Sequence, residues 1–495
     1  MHLPSHPADV EEFSADVVIV GSGAAGAAAA IAAHDAGASV VVLEKTDAAH
    51  AGGNTRVSGG SWFHHDDPEQ IATYLRALSG ERTLPEPVVR AWADGTRTVT
   101  EWMQSLGIEV GIPGDFAPEY PELPGSDAYG GYRSVDGVMG AGRLHRALTG
   151  ALAERGIPIR YDARAVELVL DASTGGVTGL RLESGDVVHA RGGVVLATGG
   201  FEADAELVRE HLGLDGASIW GSPACTGDGL RMAQHIGADL WHTDNMMAVT
   251  GITPPGARHG LFAMMLRRRG YIWVDAAGER FVNETAPAGH GQALIDGCYV
   301  LKPDRPTWVV FDERTRLAGP ISPDASVYPV GWSVVMDGYA WSADNTAEID
   351  AGWVLRADTL AGLADAMGVP PAALAASVTA YNAACAAGVD ERFGRAPGTL
   401  EPLADGPFHA FLSKPVLAWT SGGPRRDEHA RVVRPSDEPI AGLYAAGGVS
   451  STYSWAKDGG FHIADAIVFG RIAGGHAAAR AGASSTPLPL SAAAR

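Results

Sequence analysis

Near the start of the chain, Gly21-Ser22-Gly23-Ala24-Ala25-Gly26 stands between a β-branched run, Val17 to Val20, and an Ala-rich stretch that reads as a helix to about His34. Glycines at this spacing do their chemistry through the backbone. Gly21 permits a tight turn, Gly23 lets main chain approach a pyrophosphate, and Gly26 lets helix and strand close on each other. The helix start at Ala24 and Ala25 offers N–H groups and the positive end of a dipole to phosphate oxygens. Ser39 to Leu43 reads as a second buried strand, with Glu44 and Lys45 directly after it. A carboxylate there accepts hydrogen bonds from ribose hydroxyls and repels a 2′-phosphate, which disfavours NADP.

Later glycines decide between the remaining dinucleotides. Gly52-Gly53-Asn54-Thr55 and Ser58-Gly59-Gly60 follow Glu44 closely, and small residues there let backbone lie against a large flat ring. A second block, Gly442-Leu443-Tyr444-Ala445-Ala446-Gly447-Gly448, comes near the C-terminus. Gly459-Gly460 then open a helix through about Ala479, with His462 and Ile463 in its first turn. A helix N-terminus facing a flavin's pyrimidine edge stabilises the negative charge that develops there on reduction. An NAD domain has no need of that second block, so the cofactor expected is FAD.

Elements must carry these residues. The chain has 495 residues, 46% hydrophobic and 19% charged, which indicates a globular protein of two or three packed units. The opening βαβ pattern implies an α/β, Rossmann-like domain over 1–247 that resumes at 419–482. An inserted α+β capping domain over 248–418 is expected from its Pro-, Trp- and Arg-rich loops, the strand Tyr271–Val274 and Ala-rich helices near 357–388. Residues 85–107 read as one helix, 111–142 as a long ordered loop, and Val166–Leu170 with Leu180–Leu182 as a small antiparallel insertion. Gly193 to Thr198 reads as another buried strand, and residues 483–495 as a disordered tail. The net charge of −21 argues against nucleic acid or an anionic membrane as partner. Cys225, Cys298 and Cys385 have no CxxC spacing, so neither disulfides nor a metal centre are expected, and a reducing cytoplasm is. The uncharged run Val17–Ala33 follows Glu11, Glu12 and Asp16, which opposes its reading as an export signal or membrane anchor.

The segments Asp16–Gly26, Glu44–Gly60, Val194–Phe201, Thr226–Ala233, Gly278–Glu284 and Trp419–Ala473 together resemble the fumarate reductase/3-ketosteroid dehydrogenase flavoprotein family, which includes tricarballylate dehydrogenase. That resemblance implies a Rossmann-like FAD domain interrupted by a cap, with substrate between cap and flavin. It implies cofactor contacts at Gly21, Gly23, Ala24, Ala25, Gly26, Glu44, Lys45, Gly52, Gly53, Asn54 and Thr55. Further contacts are implied at Ser58, Gly59, Gly60, Val166, Thr198, Gly199, Asp228, Gly447, Gly460, His462 and Ile463. No His occupies the place where succinate dehydrogenases attach their flavin, so noncovalent FAD is expected.

Departures from the family pattern bear on the reaction. Where fumarate reductases resemble one another in a catalytic Arg, and ketosteroid dehydrogenases in a Tyr base, this chain has Ala288, two residues before His290. A family His position holds Trp419, and the substrate-carboxylate Arg position holds Lys457. The stretch Tyr120–Gly125 is similar to a ketosteroid dehydrogenase loop that presents a tyrosine. Trp419, Tyr453 and Trp455 would add apolar area to a cleft.

The expectation is therefore an FAD-dependent oxidoreductase acting on a CH–CH bond beside a carbonyl. Its substrate would be fairly apolar, steroid-like or polycyclic, with hydride moving between substrate carbon and flavin. His290 and Tyr120 are expected to handle the proton, and Tyr453 and Lys457 to contact the carbonyl. Alternatives are a flavin oxidase or monooxygenase using O₂, a fumarate reductase-like dicarboxylate reductase, and a flavin-binding protein without catalysis. The electron donor or acceptor is not legible.

Overall fold

The computed structural model describes residues 12–262, 266–285, 290–295, 298–302, 305–322, 326, 328–404 and 406–483. Ala288 and the segment from 484 onward lie outside these. The chain divides into two compact units, one of residues 1–215, 222–246 and 419–495, the other of 216–221 and 247–418.

The first unit is built on an eight-stranded sheet. Strand β1 (Glu12–Val20) and strand β2 (Val40–Leu43) pair in parallel, and β1 also pairs in parallel with Val187–Leu196. That strand in turn pairs in parallel with Pro439–Ala445, so the C-terminal glycine block lies two strands from the first. Strands buried on both faces read as continuous apolar runs, and Val17 to Val20 and Val194 to Leu196 are all buried. Helix α1 (Ala24–Asp35) packs on the closing helix Phe461–Ala483. Ala-rich and Gly-rich faces let these two backbones meet: a Cβ on Gly470 would lie 2.4 Å from the Ala25 carbonyl oxygen, and one on Gly474 2.1 Å from that of Ala29. The antiparallel insertion is present as Ala165–Leu170 and Val177–Leu182.

Two local readings are corrected. Residues 85–107 form two helices, Glu86–Arg97 and Val99–Ser105, which break at Thr98. Within 111–142 a strand, Tyr132–Val135, pairs with both Trp62–Phe63 and Val110–Gly111.

The second unit centres on a seven-stranded sheet containing Tyr271–Val274, Thr307–Asp312 and most of Phe408–Pro424, backed by the helices Leu360–Met367 and Pro371–Ala387. A buried ion cluster pins the 278–284 turn: Arg280 binds Glu284 at 2.7 Å and Asp390 at 2.7 Å. Among the described residues, no helix is long and apolar enough to cross a membrane.

Candidate cofactor cradle and active site

Sterics fix the first turn. Gly21 has φ +104°, and a Cβ on it would sit 2.4 Å from the Ala197 carbonyl oxygen; one on Gly26 would sit 1.9 Å from the oxygen of Gly21. Gly23 is the N-cap of α1 and gives it no side-chain cap, while Ala24 N–H donates to Thr55 Oγ1 at 2.9 Å. Ala25 follows, buried against Gly447, whose φ is +76° and where a Cβ would come 3.0 Å from Ala25 Cβ.

Glu44 is buried and already accepts four protein hydrogen bonds. Ser22 N–H and Oγ–H reach Oε2 at 3.2 and 2.5 Å, and Thr46 N–H and Oγ1–H reach Oε1, both at 3.1 Å. A ribose hydroxyl would therefore share or replace the Ser22 or Thr46 hydroxyl, and Glu44 also holds the glycine turn through Ser22 N–H. Lys45 and Asp228 meet each other at 2.9 Å, with Arg164 on the same carboxylate at 3.0 Å. Burial would raise Asp228, but Arg164 and Lys45 outweigh it and hold the group below the ordinary carboxylate value. Val166, on the strand Ala165–Leu170, is 42% exposed, and three residues before it Ala163 N–H bonds the Glu44 carbonyl at 2.9 Å.

The second glycine stretch is held from both sides. Gly52 has φ +101°, and a Cβ there would lie 2.4 Å from His145 Nδ1; Gly53 is also left-handed at +52° and opens the short helix Gly53–Val57. Asn54 donates to Glu202 Oε1 at 2.6 Å and accepts Ser222 N–H at 2.7 Å, so its side chain is spent on the protein frame. Glu202 Oε2 takes Thr420 N–H and Oγ1–H at 3.1 and 3.0 Å. Burial pushes the Glu202 carboxyl up, and burial with Glu202 beside it pushes the Cys225 thiol well up. Sequence reading missed Glu202 and Thr420 as parts of the site, and took Cys225 only as an unpaired thiol. Ser58 Oγ accepts Gly60 N–H at 3.1 Å, and Gly59 C=O accepts Gly140 N–H at 2.7 Å. Gly60 and Gly199 are left-handed at +67° and +72°. Thr198 Oγ1 is buried without a hydrogen-bond partner among the described residues.

At the head of the closing helix, Gly459 and Gly460 have no room for a side chain: a Cβ would lie 1.6 Å from Tyr132 Oη and 2.5 Å from Phe63 N. Lys457 is 5% exposed, with its ammonium 4.3 Å from the Trp419 ring centroid. Among the described residues it has no hydrogen bond or ion pair. Burial lowers its pKa to about 7, against the opposing pull of Glu119 and Asp458. Trp419 meets His462 edge to face at 5.0 Å, His462 Nε2 lies 3.0 Å from Ser421 Oγ, and half-buried Ile463 follows. Lys457, Trp419, Ser421 and His462 thus gather in one place.

The other candidates are placed differently. Tyr453 is fully buried, accepts Trp92 Nε1–H at 2.8 Å and donates to Phe461 C=O at 2.6 Å. Burial drives its phenol far above the ordinary value. It is a strut of the aromatic core under the helix, which corrects its expected contact with a carbonyl. Tyr120 is buried at 8% exposure in a loop whose neighbours 114–117 and 121–122 are exposed. His290 belongs to the second unit, with φ +50°.

Glycines at 21, 26 and 52 with no room for a Cβ, a helix start with no side-chain cap from Gly23, a buried Thr198 hydroxyl without a partner among the described residues and an exposed Val166 fit an adenine dinucleotide bearing a flat ring. Fold and cradle together define an FAD-dependent flavoprotein.

The chain belongs to the family of FAD binding domains whose model matches residues 16–460. It is 29% identical to the 3-oxosteroid 1-dehydrogenase of Mycobacterium tuberculosis (strain H37Rv), over 96% of this chain and 99% of that protein. It is equally 29% identical to the NADH:fumarate oxidoreductase of Klebsiella pneumoniae, over 96% of this chain but 48% of that longer protein. Among solved structures it resembles the 3-ketosteroid delta1-dehydrogenase of Sterolibacterium denitrificans in complex with 1,4-androstadiene-3,17-dione. The TM-score is 0.78 at 25% identity, covering 94% of this chain and 100% of that one. A flavocytochrome c3 fumarate reductase in an open conformation gives a TM-score of 0.70 at 25% identity, covering 95% and 79%. The protein is an FAD-dependent oxidoreductase of the ketosteroid dehydrogenase and fumarate reductase kind.

Proposed function

We propose that this enzyme oxidises or reduces a carbon–carbon bond beside the carbonyl of a fairly apolar substrate, steroid-like or polycyclic. Lys457 carries the reading: a single buried cation stacked on Trp419, with no protein anion paired to it among the described residues. One such cation suits one oxygen that becomes negative, as a carbonyl does when its neighbour loses a proton. A dicarboxylate needs several cationic partners in a dry pocket. The positions where the family resemblance would put two of them hold Trp419 and Ala288.

Bound FAD, held noncovalently, supplies the acceptor or donor of a hydride. Lys457 draws charge onto the carbonyl oxygen and so acidifies the adjacent carbon. Trp419 walls the ammonium with an apolar face that keeps water away and strengthens the interaction. Tyr120 or His290 moves the proton. The alignment with the mycobacterial 3-oxosteroid 1-dehydrogenase, which reaches over 99% of that protein, supports a ring ketone as substrate.

The test is anaerobic. Oxidised enzyme mixed with 4-androstene-3,17-dione should lose its yellow colour as substrate is dehydrogenated, and photoreduced enzyme should be reoxidised by enones faster than by fumarate. Rapid reoxidation by fumarate, with no bleaching by the steroid, would replace this reading with a dicarboxylate reductase. Rapid reoxidation by air alone would favour an oxidase.

A further inference from the structure

The loop that carries Tyr120 is tied to the segment before the closing helix. Residues 114–117 and 121–122 are exposed, yet Tyr120 is buried, so something must hold the main chain inward. Asp458, fully buried and directly before the Gly459-Gly460 pair, accepts three hydrogen bonds. Oδ2 takes Tyr74 Oη–H at 2.7 Å and Glu119 N–H at 2.9 Å, and Oδ1 takes Gly459 N–H at 2.7 Å. The Tyr74 hydroxyl is in turn hydrogen-bonded to the backbone of Tyr120. Two consecutive peptide groups of the loop, 119 and 120, thus end on the pair Asp458 and Tyr74. Farther along, Gly125 packs so closely on helix α2 (Pro68–Leu78) that a Cβ there would lie 2.3 Å from the Gln70 carbonyl oxygen.

We infer that Asp458 is a positioning residue: as a carboxylate it fixes the Tyr120 loop to the head of the closing helix, beside Lys457. A hydrogen bond to an ionised acceptor is roughly twice as strong as one to a neutral acceptor, and the single oxygen of an amide has two acceptor positions for three donors. Loss of the negative charge would therefore weaken the hold on Glu119 N–H and the Tyr74 hydroxyl and loosen the loop. The groups facing Asp458 are Tyr74 on α2, Glu119 and Tyr129 from the loop segment, and Lys457 on its own. Burial first, then Glu119, raises the Asp458 carboxyl to about 6 despite its three donors. The anchor is thus at full strength above that pH and weakened below it. The catalytic consequence, though not the anchor, rests on the proposed role of Tyr120.

Amide hydrogen exchange on the full-length holoenzyme reads the anchor without substrate. In Asp458→Asn the peptide covering Glu119 and Tyr120 should exchange about tenfold to a hundredfold faster than wild type. FAD content and exchange of the closing helix should stay unchanged. Tyr74→Phe, which keeps the carboxylate, should give a smaller rise in the same peptide. Kinetics with 4-androstene-3,17-dione and a dye acceptor then read the consequence. Wild-type kcat should fall on the acid side of about pH 6, and Asp458→Asn should have low kcat, little changed KM and no such limb. Tyr120→Phe added to Asp458→Asn should cost no more than Tyr120→Phe alone. Unchanged exchange at 119–120 in Asp458→Asn overturns the anchor. Faster exchange with normal kcat in both Asp458→Asn and Tyr120→Phe upholds the anchor and overturns the role of Tyr120.

Discussion

A buried lysine with no ion-pair partner among the described residues should weaken the fold it sits in, and that gives Lys457→Met a signature in stability as well as in rate. Burial takes the Lys457 pKa from an ordinary 10.5 to about 7. At ~1.4 kcal/mol for each tenfold change in proton affinity, this is a cost of roughly 4–5 kcal/mol to carry the charge in the folded state. Contact with the Trp419 face returns about 0.5–2 kcal/mol, so a net penalty of a few kcal/mol remains. The sign follows from linkage. Between pH 7 and 10.5 the unfolded chain holds the proton and the folded chain does not, so wild type gains stability from this residue as pH rises through that window. Methionine fills similar space without charge and has no such slope. Calorimetry of the holoenzyme should therefore show Lys457→Met melting several degrees above wild type at pH 6 to 7, with the difference shrinking toward pH 10. Turnover should fall by about 10²–10³, the usual loss of a donor at a developing oxyanion. A variant that melts lower than wild type, by an amount independent of pH, would refute the reasoning, since it would mean that the ammonium is satisfied inside the protein.

Three shorter predictions follow from the cradle and the proton donors. Acid precipitation should release FAD intact into the supernatant; colour that stays with the pellet would mean a covalent link. Glu44→Gln should lower FAD affinity about tenfold to a hundredfold, as expected for one charge-assisted bond, with the loss coming through Ser22 and the glycine turn as well as through ribose; equilibrium dialysis measures it. His290→Ala and Tyr120→Phe should be compared in single-turnover flavin reduction, where the residue that moves the proton costs about 10²–10⁴-fold, and a loss under threefold removes that residue from the mechanism.

How far the site could be read without coordinates depended on whether the physics was local. The requirement for Gly21, Gly26 and Gly52 is a clash at a single Cβ position, set by turns whose residues adjoin in sequence, and both the spacing and the strand–turn–helix grammar show it. The helix break at Thr98 had a local sign and a distant cause. Thr98 turns its hydroxyl back to the Gly95 carbonyl at 2.8 Å, but Gly95 is also pressed against the closing helix, where a Cβ would lie 2.3 Å from Val468. Periodicity of Trp92, Val99, Trp102 and Met103 hides that bend, because two helices in sequence keep the same apolar side inward.

Hydroxyls and carboxyls were harder still. Nothing near Tyr453 in sequence says that its phenol is consumed by Trp92 and Phe461, and nothing near Glu202 says that it joins Asn54 to Thr420. Yet burial without partners is costly, so each polar group inside the unit must be answered by another, usually one far along the chain. Tyr453, Glu202 and Asp458 have such answers and act as frame. Among the candidates weighed in the first unit, Lys457 has none, and the unanswered cation is where a substrate oxygen would complete the set.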